Sequence, residues 1–195
     1  MNSNSDKVDV KKMILEAAKE LFLEQGINSV SMRKIANKIN YSPTTLYIYY
    51  SNKNDILKHL AKEYFSEYAQ DYENILENTE RSSIDNLIVF IKHYIHRALA
   101  NPGMYKLMTT LFAETDSSHL GISNAGKGYE ILKTLTTRCI KDNELSEGDV
   151  DLKAQILWVN THGLCSLLTK RPSFHWGEVE LLIDSSINTV IKGLK

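Results

Sequence analysis

Five basic side chains crowd one short stretch of the chain. Arg33, Lys34, Lys38, Lys53 and Lys58 fall between Gly26 and Leu60 and are opposed there only by Asp55. That imbalance suits an anionic partner at this end of the molecule. Among these cations runs Ser42-Pro43-Thr44-Thr45-Leu46-Tyr47-Ile48-Tyr49, a run of hydroxyls and apolar groups that can reach base edges and phosphates. Other reactive residue types are scattered. His93 and His96 stand at i, i+3, but no third ligand joins them at metal spacing, so they read as satisfied or exposed histidines. Ser31-Met32-Arg33-Lys34 matches S-x-x-K by chance, because a helix cap explains the serine and no companion catalytic motif exists. Cys139 and Cys165 sit in apolar helical pattern far apart and read as reduced core thiols rather than a disulfide or zinc site.

The whole chain has 195 residues and a net charge of −1, with 43% hydrophobic and 24% charged residues. Such a composition predicts a packed globular protein and excludes collagen-like or disordered classes. Residues 1–60 hold nine Lys and Arg against six acids, and the remainder fourteen against eighteen. A small basic end thus sits on a mildly acidic body. Uncharged apolar runs such as Leu87–Ile91 are far shorter than the roughly 20 residues that span a bilayer. Met1–Lys7 reads as a polar, frayed tail and not a targeting leader, which points to the cytoplasm.

The elements that must position these residues are helices. Met13, Ile14, Ala17, Ala18, Leu21 and Phe22 recur at helical spacing between Asp9 and Gln25, and Gly26 caps the segment. A second helix opens at Ser31 and stops at Asn40, a residue able to take positive φ. A third, short one opens at Ser42-Pro43 and ends near Tyr50. From Asn52, with Asp55 as its capping-box partner, a long helix is predicted through Leu76. Further helices are predicted over Ile84–Ala100, Met104–Ala113, around Ile131–Ile140, over Val150–Thr169 with Ser146 and Asp149 as its cap, and over Glu178–Lys192. The Glu114–Ser123 stretch reads as a polar loop. No strand-like alternation persists, so the fold class is all-α.

Two short helices joined at Asn40-Tyr41 behind a longer one form the pattern of a helix-turn-helix. Ile35, Ala36, Ile39 and Leu46 would lock the crossing from beneath, and Ala36 is small enough to let the helices meet. The outer face of the second helix, with Thr44, Thr45, Ile48 and the Tyr47 and Tyr49 hydroxyls, is then free to enter a major groove. Backbone amides ahead of Pro43, and again at Asn52-Lys53, would suit phosphates.

These residues resemble the N-terminal DNA-binding domain of TetR-family bacterial regulators. The resemblance runs from Ile14 to Leu57 and rests on Ala17-Ala18, Leu21-Phe22, Gly26, Ser31, Arg33, Ile35-Ala36, Leu46-Tyr47, Tyr49-Tyr50 and Asn52-Lys53. Asn40 replaces the usual turn glycine, and Ile27 the common aromatic. The resemblance implies a DNA-binding domain over residues 1–52 and a larger helical domain over 53–195 for effector binding and dimerisation, joined by the long helix. It implies DNA contacts from Arg33, Ser42, Pro43, Thr44, Thr45, Tyr47, Ile48, Tyr49 and Lys53, with Pro43 and Ile48 against thymine methyls and Tyr47, Tyr49 and Lys53 on phosphates. Trp158 and His162-Gly163 resemble the signature of one C-terminal subgroup, although a packed Trp–His pair explains the same residues.

An apolar effector pocket would draw on Tyr64, Tyr68, Tyr94, Met104, Met108, Phe112, Trp158 and His162, which fit a plain core equally well. By the same resemblance the last two helices would form the dimer interface, through Ile156, Leu164 and Leu167 on one and Leu182, Ile183, Ile187 and Val190 on the other. The leading expectation is a repressor that binds a pseudo-palindromic DNA operator as a homodimer and is released by an apolar or aromatic small molecule. No metal, cofactor or membrane enters. A regulator controlled by a protein partner is the alternative. A helical enzyme is a more distant one, since no acid–base pair, nucleophile elbow or metal spacing is present.

Overall fold

The computed structural model describes residues 3–114 and 127–195, with side chains over 9–111 and 127–195. Every regular element among them is helical. The side chain of Phe112 lies outside the described residues, as does the loop expected over Glu114–Ser123 beyond its first residue.

The described residues fall into two compact units, one within Met1–Glu67 and Gly103–Ala125, the other within Tyr68–Pro102 and Gly126–Lys195. The first holds α1 (Ser3–Gln25), a single 3-10 turn (Ile27–Ser29), α2 (Met32–Lys38), α3 (Pro43–Tyr47), α4 (Lys53–Ser66) and nearly all of α7 (Pro102–Glu114). α1 stops because Gly26 takes φ 79°, and its N–H still reaches the Phe22 carbonyl at 3.0 Å. Ile14, Ala18, Ile35, Ala36, Leu46 and Ile56 are fully buried at the centre, and Met104, Leu107, Met108 and Leu111 of α7 complete this core.

In the second unit α5 (Ala69–Glu77), α6 (Ser83–Ala100), α8 (Lys127–Lys141), α9 (Val150–Lys170) and α10 (Val179–Leu194) form a bundle. α6, α8 and α9 pack on one another, and α10 closes against α9 and α6. Leu87, Phe90, Ile95, Leu132, Leu135, Leu157 and Ile183 are its buried centre. Cys139 and Cys165 are buried free thiols. Burial pushes each up to about 12, so neither is a nucleophile near neutral pH.

Two expectations need correction. The long helix from Asn52 to Leu76 is broken: α4 ends at Ser66 and α5 begins at Ala69, because Tyr68 leaves the helical region at φ −122°, ψ 1°. No glycine or proline marks this break; the Arg97 guanidinium lies over the Tyr68 ring instead. The first unit accordingly continues through α4 to Glu67, beyond the division expected after Asn52. At the start of α9, Asp149 alone is the cap, its Oδ1 accepting from the Asp151 and Leu152 amides. The Ser146 hydroxyl donates to the Leu194 carbonyl and accepts from the nearly buried Lys153 ammonium.

Candidate nucleic-acid interface

The turn between α2 and α3 is set by Asn40 at φ 58°, a conformation asparagine tolerates better than other non-glycine residues. Tyr41 N–H then closes on the Ala36 carbonyl at 3.0 Å. Ser42 caps α3, its Oγ accepting from the Thr45 amide at 3.1 Å and sharing a 2.9 Å hydrogen bond with the Thr45 hydroxyl. Ile35, Ala36 and Leu46, all at 0% exposure, fix the crossing from below. The opposite side faces solvent. Ser42 and Thr44 are exposed, Pro43 and Thr45 are half-exposed, and Tyr47 and Ile48 stand 55% and 73% exposed. Tyr49 differs from them, being half-buried and packed on the unit's core. Tyr50 beyond it is buried, with its ring edge-on to His59.

The cations divide sharply. Arg33 is exposed, with no hydrogen bond or ion pair among the described residues. Lys34 Nζ donates to Gln25 Oε1 at 2.9 Å and to the Ser29 carbonyl at 2.8 Å. Lys38 pairs with Glu20 at 2.8 Å, a bond that raises its pKa. Lys53 Nζ donates to the Ile27 carbonyl at 2.8 Å across 26 residues. Lys34 thus closes the Ser29 carbonyl at the end of the 3-10 turn, and Lys53 is a second donor to the Ile27 carbonyl, which also accepts from the Val30 amide. Periodicity carries no trace of these tethers, because they join positions far apart in sequence. Ahead of Pro43 the Tyr41 amide is spent on Ala36, and within the first turns of α3 and α4 the Thr45 and Asp55 amides are taken by the Ser42 and Asn52 side chains.

The residues expected around an effector are divided between the units. Met104 and Met108 belong to the first unit's core, and Tyr64 packs against it. Tyr68, Tyr94, Trp158 and His162 lie in the second. There Tyr94, Trp158 and His162 form a half-buried cluster, the Trp158 and His162 rings 4.2 Å apart and the Tyr94 hydroxyl 3.0 Å from His162 Nε2. Tyr129 joins it edge-on to Trp158 at 5.6 Å. No motif in the sequence marks Tyr129, and the adjacent Gly128 gives no signal either, since an added Cβ there would lie at an ordinary 3.9 Å from Trp158. Burial alone lowers His162 to about 4, so the imidazole is neutral at physiological pH.

Beside the cluster, Arg97 is 8% exposed, stacked over Tyr68 and donating to the Tyr72 hydroxyl at 3.2 Å. His93 and His96 engage separate carboxylates, Asp71 and Glu180. Among the described residues no group of three potential ligands could hold a metal, and no helix is long and apolar enough to cross a membrane.

Of the residues expected at a dimer interface, Ile156 and Leu167 are exposed, and Leu164, Leu182 and Val190 are half-buried. Ile183 and Ile187, however, are 0% and 3% exposed because they fill the second unit's own core. The exposed apolar face instead gains Leu152, Val159 and Leu181. Helical spacing alone did not separate the two sides of α10.

Comparison with known proteins accords with this geometry. Residues 14–60 match the model of bacterial regulatory proteins of the tetR family. The chain is 30% identical over 149 residues to the fatty acid metabolism regulator protein of Bacillus subtilis, covering 74% of this chain and 76% of that one. It is 26% identical to the transcriptional repressor KstR of Mycolicibacterium smegmatis, over 84% and 78% of the two chains. The structure of FadR from Bacillus subtilis in complex with stearoyl-CoA superposes with a TM-score of 0.75 at 24% identity, over 94% of this chain and 99% of that one.

Proposed function

The chain belongs to the TetR family of bacterial regulatory proteins, and on that premise we propose that it is a homodimeric repressor released from its operator by a long-chain acyl-CoA. DNA binding is the family's property; the effector is the inference. It is carried by the likeness to the Bacillus subtilis fatty acid metabolism regulator, whose 149 aligned residues extend far beyond the 14–60 segment into the unit that would hold an effector. The solved relative bound to stearoyl-CoA supports the same class.

In this reading the first unit reads DNA through Arg33, Ser42, Pro43, Thr44, Thr45, Tyr47, Ile48, Tyr49 and Lys53. The second binds effector near Tyr94, Trp158 and His162, the last two being residues of the proposed C-terminal subgroup signature, and pairs subunits through the exposed face of α9 and α10. Two recognition helices about one DNA turn apart then meet a pseudo-palindrome. Effector must bind more tightly to the spacing that misses DNA, since only differential affinity shifts such an equilibrium. No catalytic step is involved, and the protein works in the cytoplasm, where its DNA lies.

The test is fluorescence anisotropy on a duplex selected from random DNA with the full chain. Stearoyl-CoA at low micromolar concentration is expected to release the duplex, while coenzyme A alone is not. The emission of Trp158 and Trp176, the chain's two tryptophans, is expected to change in parallel. Unchanged DNA affinity at saturating stearoyl-CoA would favour control by a protein partner.

A further inference from the structure

The turn that joins α9 to α10 carries an exposed pair of rings. Phe174, 54% exposed, and the half-buried Trp176 stand with their ring centroids 4.4 Å apart. One acceptor fixes them both. The Arg171 carbonyl takes the Phe174 amide at 3.1 Å and the Trp176 indole Nε1–H at 2.9 Å. Gly177, at φ 69°, then turns the chain into α10. A ring pair held in this way has lost much of its freedom before any partner arrives, which lowers the cost of binding one.

The flank of the pair is cationic. Between Lys170 and Val179 stand Lys170, Arg171 and His175, against Glu178 alone. The Lys170 and Arg171 side chains are exposed, with no hydrogen bond or ion pair among the described residues. Glu180, the next acid, is turned to His96 at 3.1 Å. Rings beside unspent cations suit a flat aromatic group that carries negative charge. The core of a subunit interface, by contrast, is depleted of charge.

This turn also lies within reach of the aromatic cluster. His162 stands on α9 eight residues before Lys170, about 12 Å of helix. On α6, Tyr94 reaches His162, while His96 reaches Glu180 in the first turn of α10. The pantetheine arm of coenzyme A can bridge such a span.

We infer that the turn between α9 and α10 is a nucleotide platform: the Phe174–Trp176 pair takes the adenine of a coenzyme A thioester, and Lys170 and Arg171 take its phosphates. The inference rests on the acyl-CoA reading above and adds where the nucleotide sits. The acyl end belongs to the cluster of Tyr94, Trp158 and His162, and the two ends are read by different residues.

Coenzyme A itself, which lacks the acyl group, probes the platform apart from operator release. Titrated into the full chain, its adenine is expected to quench Trp176. The quench should vanish in Trp176→Phe, where Trp158 is the remaining tryptophan, and pantetheine, which lacks the nucleotide, should cause none. Phe174→Ala should weaken coenzyme A about tenfold, the ratio that loss of one base–aromatic stack gives. Arg171→Ala should weaken it about threefold, with a flatter salt dependence. Stearoyl-CoA, read by release of the operator, should be needed at about tenfold higher concentration in Phe174→Ala. ATP binding as tightly as coenzyme A, with stearoyl-CoA unaffected by Phe174→Ala, would overturn the assignment in favour of a free adenine nucleotide. Monomers of Phe174→Ala in sedimentation would also overturn it, by placing the pair at a subunit contact. Unchanged Trp176 emission at millimolar coenzyme A would overturn the platform even where stearoyl-CoA releases the operator. Quenching without release would instead sink control by acyl-CoA and leave nucleotide binding standing.

Discussion

The reading edge of the first unit and the aromatic cluster of the second are built from similar groups, hydroxyls and rings, yet they are supported in opposite ways. Thr44 and Tyr47 are exposed on a five-residue helix, with Ile48 exposed directly after it, and that helix contributes one fully buried side chain, Leu46. Their placement comes from Ile35 and Ala36 below and from the caps at either end. Tyr94, Tyr129, Trp158 and His162 sit on α6, α8 and α9 and hold one another. At the edge, recognition and stability reside in different residues. In the cluster they are the same residues. Substitutions at the edge should therefore change binding without unfolding, and substitutions in the cluster should change both.

The largest expected effect tests that separation. Leu46→Ala removes a fully buried side chain and should cost about 2–5 kcal/mol, with loss of operator binding. Ile48→Ala should leave stability within about 0.5 kcal/mol while changing base preference. Both tryptophans lie in the second unit, so their emission follows that unit alone, while far-UV circular dichroism in urea follows both. Leu46→Ala should lower only the midpoint seen by dichroism. If the emission midpoint falls equally, the units unfold together and the contrast is lost.

The two regions also differ in how far the sequence revealed them. The edge was legible because its determinants are local: Ser31, Ser42-Pro43 and Asn52 with Asp55 are caps within four residues of what they cap, and Asn40 declares its turn by type. The limits were contacts distant in sequence. At the break the Tyr68 ring lies under Arg97, 29 positions on, and the hydroxyl of Ser146 is diverted to Leu194. On α10, Leu181, Leu182 and Ile183 are three consecutive apolar residues spread around the helix, and only the packed bundle decides that Ile183 is core and Leu181 surface.

A smaller effect probes the cluster. His162 takes up its proton near pH 4 when folded, against the ordinary 6.5 available to the unfolded chain. Between those values the unfolded state binds more protons, so folding weakens as pH falls from 6.5 toward 4. By pH 5 the loss attributable to this group should approach about 2 kcal/mol. Urea titrations of the full chain at pH 7.5 and 5 should show it, and His162→Gln should flatten the difference. An equal pH dependence in the variant would remove His162 from the cluster's energetics.

The smallest effect concerns Lys53, where the two kinds of support meet in one side chain. Its ammonium donates to the Ile27 carbonyl, which makes it part of the scaffold, while its position at the start of α4 makes it a proposed phosphate contact. A scaffold lysine leaves the salt dependence of DNA binding untouched, because no counterion is displaced. A phosphate contact contributes about 0.9 to the slope of log affinity against log salt in each half-site. Lys53→Met should therefore lower the slope by about 1.8 for a dimer, with a modest fall in the stability of the first unit. Destabilisation with an unchanged slope would place Lys53 wholly beneath the edge and leave Arg33 as the exposed cation available to phosphate there. The reading surface would then be held in place by charge and would recognise DNA almost without it.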